Sequence, residues 1–144
     1  DVHLHYFDRH KLPDSVEKEL NLTFHESVES MVKVCDVVTI NCPLHPETEN
    51  LFDDKLISKM KRGAYIVNTA RGGIINEKEL ISELENEKVR SVGLDVFEYE
   101  PKPSVKILMN EKISLSPHIG GSTIESQNRI GLELAEQIIN IYKK

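Results

Sequence analysis

Three side chains in this sequence could together bind a carboxylic acid and move a proton. Arg71 follows an apolar run in VNTARGG, Glu100 lies in DVFEYEP, and His118 lies in SPHIGG. A guanidinium can hold a carboxylate through two parallel hydrogen bonds. An imidazole can transfer a proton near neutral pH, and a neighbouring carboxylate can orient it. These residue types therefore indicate a small carboxylate as the substrate, with proton transfer as part of the reaction.

Simpler explanations remain open for each of these residues. Arg71 taken alone could be a surface cation at a turn, which is the commoner situation for an isolated ARGG. Glu100 could belong to a solvated acidic loop, EYEPKP. Asp8, at the end of the first predicted strand, could bind the ribose hydroxyls of a dinucleotide or be an ordinary turn residue. Asp8 is a weak signal by itself, because the G-x-G-x-x-G turn that usually accompanies it occurs nowhere in the sequence.

The elements that must position these residues alternate between short apolar strands and amphipathic helices. Strands are predicted at 2–7, 22–25, 36–42, 64–68, 91–97 and 112–117. Helices are predicted at 13–20, 26–34, 53–60, 77–86 and from 122 onward, the last two with Asn76–Glu79 and Ser122–Glu125 as capping pairs. Such alternation predicts β-α-β units with right-handed crossovers. The predicted fold class is α/β, a doubly wound parallel sheet whose ligands bind at the carboxyl ends of the strands.

Composition and charge exclude several other classes of protein. The 144 residues suit one domain, and the net charge of −6 argues against nucleic acid as a partner. No apolar run approaches the roughly 20 residues that a membrane helix needs. Cys35 and Cys42 have neither zinc-site nor disulfide-framework spacing, and the histidines lack metal-ligand spacing on a common helix, so no metal is predicted. A reducing, cytoplasmic setting is expected.

Three motifs, VNTARGG, GLDVFEYEP and SPHIGGST, resemble in their order the NAD-binding domain of the D-isomer-specific 2-hydroxyacid dehydrogenases. The resemblance covers the whole chain. It implies a Rossmann-type sheet, NAD as the cofactor, and an oxidoreductase that transfers a hydride between NAD and a small 2-hydroxy acid. The interval from Arg71 to Glu100 matches the family pattern. The interval from Glu100 to His118 is shorter, because the loop PKPSVKILMN is trimmed.

The resemblance also implies roles for particular positions. Arg71 would bind the substrate carboxylate, His118 would take and return the hydroxyl proton, and Glu100 would pair with His118. The implied cofactor contacts are Asp8 with Arg9 at the adenosine ribose, Pro43, Leu44, His45 and Glu47 beside the adenine, Thr69 and Asp95 at the nicotinamide end, and Gly120 and Gly121 as room for the ring.

Different parts of the chain resemble different subfamilies. Up to about Gly72 it is most similar to bacterial NAD-dependent formate dehydrogenase, and from about Gly73 it is more similar to phosphoglycerate and glyoxylate/hydroxypyruvate dehydrogenases. Formate dehydrogenases carry Gln at the position of Glu100 and usually Trp at that of Phe97. Formate oxidation takes no proton from a hydroxyl, whereas interconversion of hydroxy and keto acids does. Glu100 therefore favours 2-hydroxy acids. A formate dehydrogenase fragment, a chimera and a non-enzymatic engineered folding scaffold are the alternatives.

Compared with this family, the chain begins at the second strand of the cofactor domain. We therefore expect a single, partial NAD-binding domain over 1–144, without the glycine-rich turn and without the catalytic domain. Such a chain should bind NAD weakly and turn over little or nothing. Loss of a central strand predicts a gap in the sheet. The gap could close by pairing of the strands at 2–7 and 36–42 in a flavodoxin-like order, or a second copy could fill it in a homodimer.

Overall fold

The computed structural model describes residues 2–143, in which strands and helices alternate. The strands are β1 (Leu4–Tyr6), β2 (Leu22–Phe24), β3 (Val37–Ile40), β4 (Ala64–Asn68), β5 (Val89–Leu94) and β6 (Ile113–Leu115). The helices are α1 (Asp14–Leu20), α2 (Val28–Val32), α3 (Asp54–Ile57), α4 (Glu77–Glu85), α5 (Val105–Leu108) and α6 (Ile124–Tyr142). This order confirms the predicted α/β class. It adds α5, which lies where the sequence predicts a loop.

All strand pairs are parallel, and the strands form two sheets. β1 pairs with β2, and the other four strands follow the order β3-β4-β5-β6. One row of residues in register crosses the larger sheet from Val38 to Ile66, Val92 and Ile113. Each of these side chains is at most 7% exposed. The row forms the centre of the core, because β-branched side chains pack well on a pleated surface.

Helices α2 to α5 bury one face of the four-stranded sheet. Leu80 and Leu84, one turn apart on α4, are both 0% exposed in this core. The alternate positions of the strands face the other way, and there Val37 and Tyr65 are 58% and 39% exposed. Helix α6 has no buried residue. Within residues 2–143, therefore, the second helical layer of a doubly wound sheet does not cover this face.

The expected closure of the sheet is wrong for this structure. Within residues 2–143, β1 does not pair with β3, so the flavodoxin-like order is not formed. Leu4 on β1 and Val37 on β3 are 47% and 58% exposed at these edges. Closing the gap would move the smaller sheet by about one strand spacing of 4.8 Å. Helix α2, which joins the two sheets along the chain, packs in the main core through Val32 at 0% exposure.

The helix caps agree with the sequence at one site and differ at another. Asn76 caps α4 as predicted, with its side chain accepting from the Glu79 amide at 3.1 Å. The Glu79 carboxylate does not complete the capping box, because it accepts from the Asp54 amide instead. At α6 the predicted Ser122 cap is wrong by one residue. Thr123 accepts from the Ser126 amide at 3.1 Å, since adjacent hydroxyls offered two equivalent caps.

Candidate active site

A turn built on Asn68 presents Arg71 at the carboxyl end of β4. Asn68 is 1% exposed, and its side chain donates to the Arg71 carbonyl at 2.9 Å and accepts from the Ala70 amide at 3.1 Å. The Arg71 guanidinium is exposed, and its Nη1 donates to the Ala70 carbonyl at 2.6 Å. Asn68 was not predicted as part of the site. Its position at the end of an apolar strand, where an Asn commonly begins an Asx turn, was the available signal.

Gly72 brings the Arg71 loop into backbone contact with the loop after β5. A Cβ at Gly72 would lie 1.7 Å from the Phe97 carbonyl oxygen, so only glycine fits. Gly73 follows with a φ of +80°, a conformation that glycine adopts without strain. The Gly73 carbonyl accepts from the Asn50 amide at 2.7 Å. The two glycines thus hold the arginine loop between the segment before α3 and the loop after β5.

Glu100 and His118 form a direct pair. His118 Nδ1 lies 2.7 Å from Glu100 Oε2, and the Phe97 amide donates to Glu100 Oε1 at 2.9 Å. These two hydrogen bonds, the His118 bond foremost, lower the pKa of Glu100, and the charges of His118 and Arg71 act in the same direction. The structure therefore joins the predicted Glu–His pair and places Arg71 near enough for its charge to act on Glu100.

The backbone of His118 is in an unusual conformation. Its φ is +53°, in the left-handed region, which costs a residue other than glycine on the order of 1–3 kcal/mol and is concentrated at functional sites. The His118 amide donates to the Ser116 carbonyl at 3.1 Å. The left-handed turn directs the chain from β6 towards the Asp95 carboxylate, which fixes the following residues.

Asp95 organises the loop that carries His118. It is 4% exposed, and its Oδ1 accepts from the Ser116 hydroxyl at 2.6 Å and the Ile119 amide at 2.9 Å. Its Oδ2 accepts from the Gly120 amide at 2.9 Å. Burial raises the pKa of Asp95, but these hydrogen bonds outweigh burial and hold that pKa below its ordinary value. The structure thus gives Asp95 contacts within the protein, and a nicotinamide contact stays a prediction.

The other residues predicted at the nicotinamide end border open space. Thr69 is exposed at the end of β4, on a groove of about 200 Å³ that Asp95 and Ser116 also line. A Cβ at Gly120 would lie 3.1 Å from Asp95 Oδ2, whereas one at Gly121 would meet nothing within 4 Å. Gly121 therefore borders open space, whereas Gly120 lies close to the Asp95 carboxylate.

A larger pocket of about 410 Å³ borders the Glu100–His118 pair. Apart from Ser116, its other walls are apolar and come from the loop before α5, from α5 and from the end of β6: Phe97, Pro101, Pro103, Leu108, Leu115 and Pro117. Two ionisable groups against apolar walls are the chemistry expected of a site for a small organic acid.

The residues predicted at the adenosine end lie on two separate loops. Asp8 and Arg9 are exposed just beyond β1, and Asp8 Oδ1 accepts from the His10 amide at 2.9 Å. The predicted adenine contacts lie in the exposed loop after β3 and are Pro43, Leu44, His45 and Glu47. Thr48, which was not predicted, shapes this loop, because its hydroxyl donates to the Pro43 carbonyl at 2.7 Å and accepts from the His45 amide at 2.8 Å.

These groups fit parts of a dinucleotide rather than all of it. A carboxylate at the ribose end and a groove lined by Thr69 and Asp95 at the nicotinamide end suit NAD. Within the described chain no G-x-G-x-x-G turn is available for the pyrophosphate. Residues 2–143 contain no cluster of three or more His, Cys, Asp or Glu able to hold a metal ion. In the same range, no helix has the length and apolar character needed to cross a membrane.

Comparison with known proteins identifies the domain to which these residues belong. Residues 1–120 match the family model of the D-isomer specific 2-hydroxyacid dehydrogenase, NAD binding domain. Formate dehydrogenase of Pseudomonas sp. (strain 101) is 49% identical over 130 residues, which are 90% of this chain and 32% of that protein. Glyoxylate reductase 1 of Saccharomyces cerevisiae is 38% identical over 136 residues, 94% of this chain and 38% of that protein. The chain spans about a third of the length of these relatives.

Solved structures agree with this match. Formate dehydrogenase of Granulicella M. superimposes with a TM-score of 0.85 at 39% identity, covering 88% of this chain and 34% of that one. Holo D-mandelate dehydrogenase of Rhodotorula graminis gives 0.82 at 36% identity, covering 85% and 36%. The fold is therefore Rossmann-like, and the matched domain is the one that binds NAD, which confirms the predicted cofactor. The chain belongs to the NAD-binding domain family of the D-isomer specific 2-hydroxyacid dehydrogenases, a family of oxidoreductases.

Proposed function

We propose that this chain is the NAD-binding part of an enzyme that transfers a hydride between NAD and a small 2-hydroxy acid. The observation that carries the proposal is the 2.7 Å contact between His118 Nδ1 and Glu100 Oε2. With Nδ1 turned to Glu100, Nε2 is the ring nitrogen left for a substrate hydroxyl. A carboxylate behind an imidazole is the arrangement that fixes its tautomer for proton transfer.

The roles follow from charge and position. Arg71 binds the substrate carboxylate, because its exposed guanidinium lies on the same rim as the pair. During oxidation, neutral His118 accepts the hydroxyl proton at Nε2, and Glu100 stabilises the resulting imidazolium. During reduction, His118 returns that proton to the keto oxygen. The nicotinamide of NAD, held by Thr69 and Asp95, would supply the hydride acceptor for oxidation of the hydroxyl-bearing carbon, and that of NADH would supply the hydride for reduction.

The proposed cofactor contacts divide between the adenosine end and the nicotinamide end of NAD. Asp8 and Arg9 bind the adenosine ribose, while Thr69 and Asp95 position the nicotinamide. The adenine lies beside the loop of Pro43, Leu44, His45 and Glu47, and the glycines Gly120 and Gly121 leave room for the ring. Residues 1–144 act as one partial cofactor domain. Binding of NAD to this chain should be weak, because backbone amides of a glycine-rich turn would otherwise supply much of the pyrophosphate affinity.

A formate dehydrogenase part is the second candidate, and it rests on the 49% identity to the Pseudomonas enzyme. Formate oxidation releases carbon dioxide and has no hydroxyl proton to transfer, so it does not require the Glu100–His118 pair. A non-enzymatic folding scaffold is the third candidate. It predicts folding without any response to NAD or to small acids.

A binding and turnover experiment separates these candidates. The chain is titrated with NAD and NADH, then assayed with glyoxylate or hydroxypyruvate plus NADH, and with formate plus NAD. Substrate binding that depends on Arg71 is followed by NMR, with Arg71→Lys as the matched variant, since lysine keeps the charge but loses the bidentate geometry. We expect NAD to bind more weakly than micromolar and the keto acids to perturb His118. Micromolar NAD affinity would refute the weak-binding prediction, and a response to formate alone would favour the second candidate.

A hybrid enzyme tests the chemistry at full activity. In the hybrid, this chain replaces the matching segment of the Pseudomonas formate dehydrogenase. The hybrid is then compared with its Glu100→Gln variant. We expect keto-acid reduction to require Glu100 and to fall by about 10²- to 10⁴-fold in the variant, the usual contribution of general acid–base catalysis. Equal keto-acid reduction by the two proteins would contradict the proposed role of the pair.

We also propose that the chain forms a homodimer. The exposed edges of β1 and β3 and the exposed apolar side chains of α6, among them Ile130 and Leu134, support this arrangement. Sedimentation equilibrium measures the oligomeric state directly. A monomer at all concentrations up to the millimolar range would refute the dimer.

A cytoplasmic location is a further proposal, and the two cysteines support it. Cys35 and Cys42 carry free thiols, and burial raises the pKa of both. Thiols of this kind persist in a reducing compartment. Fractionation of cells that produce the chain, with detection by antibody, tests the location; recovery from an oxidising compartment would contradict it.

A further inference from the structure

We propose that Glu77 is a positioning residue that holds the 97–100 loop, and with it Glu100, against the loop of Arg71. The effect of Glu77 on catalysis rests on the proposed function, in which Glu100 and His118 are the proton-transfer pair. The contact itself is a property of the folded chain and can be tested without cofactor or turnover.

Glu77 is a buried carboxylate with one specific partner. It is 6% exposed at the first residue of α4, and its Oε1 accepts from the Glu98 amide at 2.7 Å. Burial raises the pKa of Glu77, while the hydrogen bond from Glu98 lowers it. Removing a carboxylate from water is costly unless a hydrogen bond compensates. The Glu98 amide is the partner that the structure provides.

Two consecutive amides of the same loop are bound by two glutamates. The Phe97 amide donates to Glu100 Oε1 at 2.9 Å, and the Glu98 amide donates to Glu77 Oε1. The first bond folds the loop around the Glu100 carboxylate. The second bond joins the folded loop to α4. Glu77 therefore acts on Glu100 through the backbone between them.

The same loop also touches the residue after Arg71. A Cβ at Gly72 would overlap the Phe97 carbonyl oxygen, so the two backbones are in direct contact. Helix α4 begins shortly after Gly72 on the same stretch of chain. The Glu77 bond thus completes a closed set of contacts that sets the separation of Arg71 from the Glu100–His118 pair.

Glu79 offers a matched control in the same turn of the same helix. Its Oε2 accepts from the Asp54 amide at 2.8 Å, so it makes the same type of bond as Glu77 but to the start of α3. Both carboxylates also lie at the helix N-terminus and interact similarly with the helix dipole. A difference between variants at the two positions therefore reports the loop contact and not the helix.

The experiment compares Glu77→Leu, Glu77→Gln and Glu79→Leu in this chain. Hydrogen exchange of the Glu98 amide and the pKa of the Glu100 carboxyl, from its ¹³C shift, are measured by NMR. In Glu77→Leu we expect exchange about tenfold faster, because a hydrogen bond to a charged acceptor is lost, and a Glu100 pKa closer to its ordinary value. Gln restores both, since its Oε1 still accepts from Glu98. Glu79→Leu leaves both unchanged.

Two results would overturn the proposal. One is a folded Glu77→Leu variant with unaltered Glu98 exchange and Glu100 pKa; the other is a Glu79→Leu variant that shifts Glu100 equally. If Glu77→Leu does not fold, Glu77→Asp replaces it with the same expectations, because the shorter side chain cannot reach the Glu98 amide. Absence of keto-acid reduction would count against the proposed function and leave this result standing.

Discussion

Two regions differ in how firmly they hold their candidate site residues. One is the rim that carries Asp95, Glu100 and His118, and the other is the small β1–β2 sheet. On the rim, Asp95 accepts three hydrogen bonds and Glu100 accepts two. Just beyond the small sheet, Asp8 is exposed and accepts from the amide of His10, two residues later in the chain. The difference suggests that the proton-transfer end of the site is ordered by this chain, whereas the adenosine end has few contacts to fix it.

The cause is the size of the sheet beneath each region. The rim lies on four parallel strands over a continuous buried core. β1 and β2 form a two-stranded unit, which is marginally stable by itself. Val32 on α2 packs in the main core, and Glu29 on α2 contacts Lys59 beyond α3 at 2.7 Å. Helix α2 is thus the segment of chain that joins β2 to the core of the larger sheet.

The largest expected effect breaks the rim itself. Gly72→Ala places a Cβ 1.7 Å from the Phe97 carbonyl oxygen, and because both partners are backbone, one loop must move. We expect a loss of about 3 kcal/mol in the free energy of unfolding, measured by urea denaturation, together with loss of the Glu100–His118 contact in NMR spectra. Gly121→Ala is the control, because its Cβ would meet nothing within 4 Å. Equal stability of the two variants would contradict the close contact.

The next effect separates the two regions. Val32→Ala removes buried methyl groups from α2, and we expect a cost of about 2 kcal/mol. Hydrogen exchange should become faster in β1 and β2 than in β4, because α2 no longer fixes the small sheet. Val34→Ala, at a residue 44% exposed just beyond α2, should stay within about 0.5 kcal/mol. Equal acceleration in both sheets would show that they unfold as one unit.

A smaller effect is expected from Asp95→Asn. The amide can still accept from Ser116 and Ile119, but its NH₂ group opposes the Gly120 amide, so about 1–3 kcal/mol should be lost. The pKa of Asp95 is lowered in the folded state, so its contribution is fully present above the ordinary pKa and is lost as the pH falls through the folded value. The variant should lack that acid-dependent loss. The free energies of unfolding of the parent chain and the variant are measured by urea titration at descending pH. If both decline in parallel, Asp95 is not the source of the acid-dependent loss.

The sequence predicted the part of this molecule that depends on local patterns. Apolar runs located the strands, Asn76 located the start of α4, and the family resemblance paired Glu100 with His118. Glu77 could not be singled out, because its partner is a backbone amide that no residue type reveals. Closure of the sheet was predicted wrongly, since pairing of β1 with β3 depends on the tertiary placement of the two sheets, which no local pattern shows. Features that depend on local residue patterns could therefore be predicted from the sequence, whereas tertiary contacts to backbone groups could not.

The smallest effect concerns the ionic contact that ties α2 to the larger region. Lys59, then Lys33, lowers the pKa of Glu29 to about 2. A carboxyl whose folded pKa is depressed stabilises the protein above its ordinary pKa of 4.5, and this contribution fades as the pH falls towards about 2. Because the three side chains are largely exposed, the effect should be slight and weakened by salt. We expect Glu29→Gln to accelerate hydrogen exchange in β1 and β2 at neutral pH and low salt, and to match the parent chain below pH 2. Glu26→Gln, at an exposed neighbouring residue, is the control, because it removes the same charge without removing the contact to Lys59. If both variants accelerate hydrogen exchange equally, the cause is the net charge and not the bond from Glu29 to Lys59.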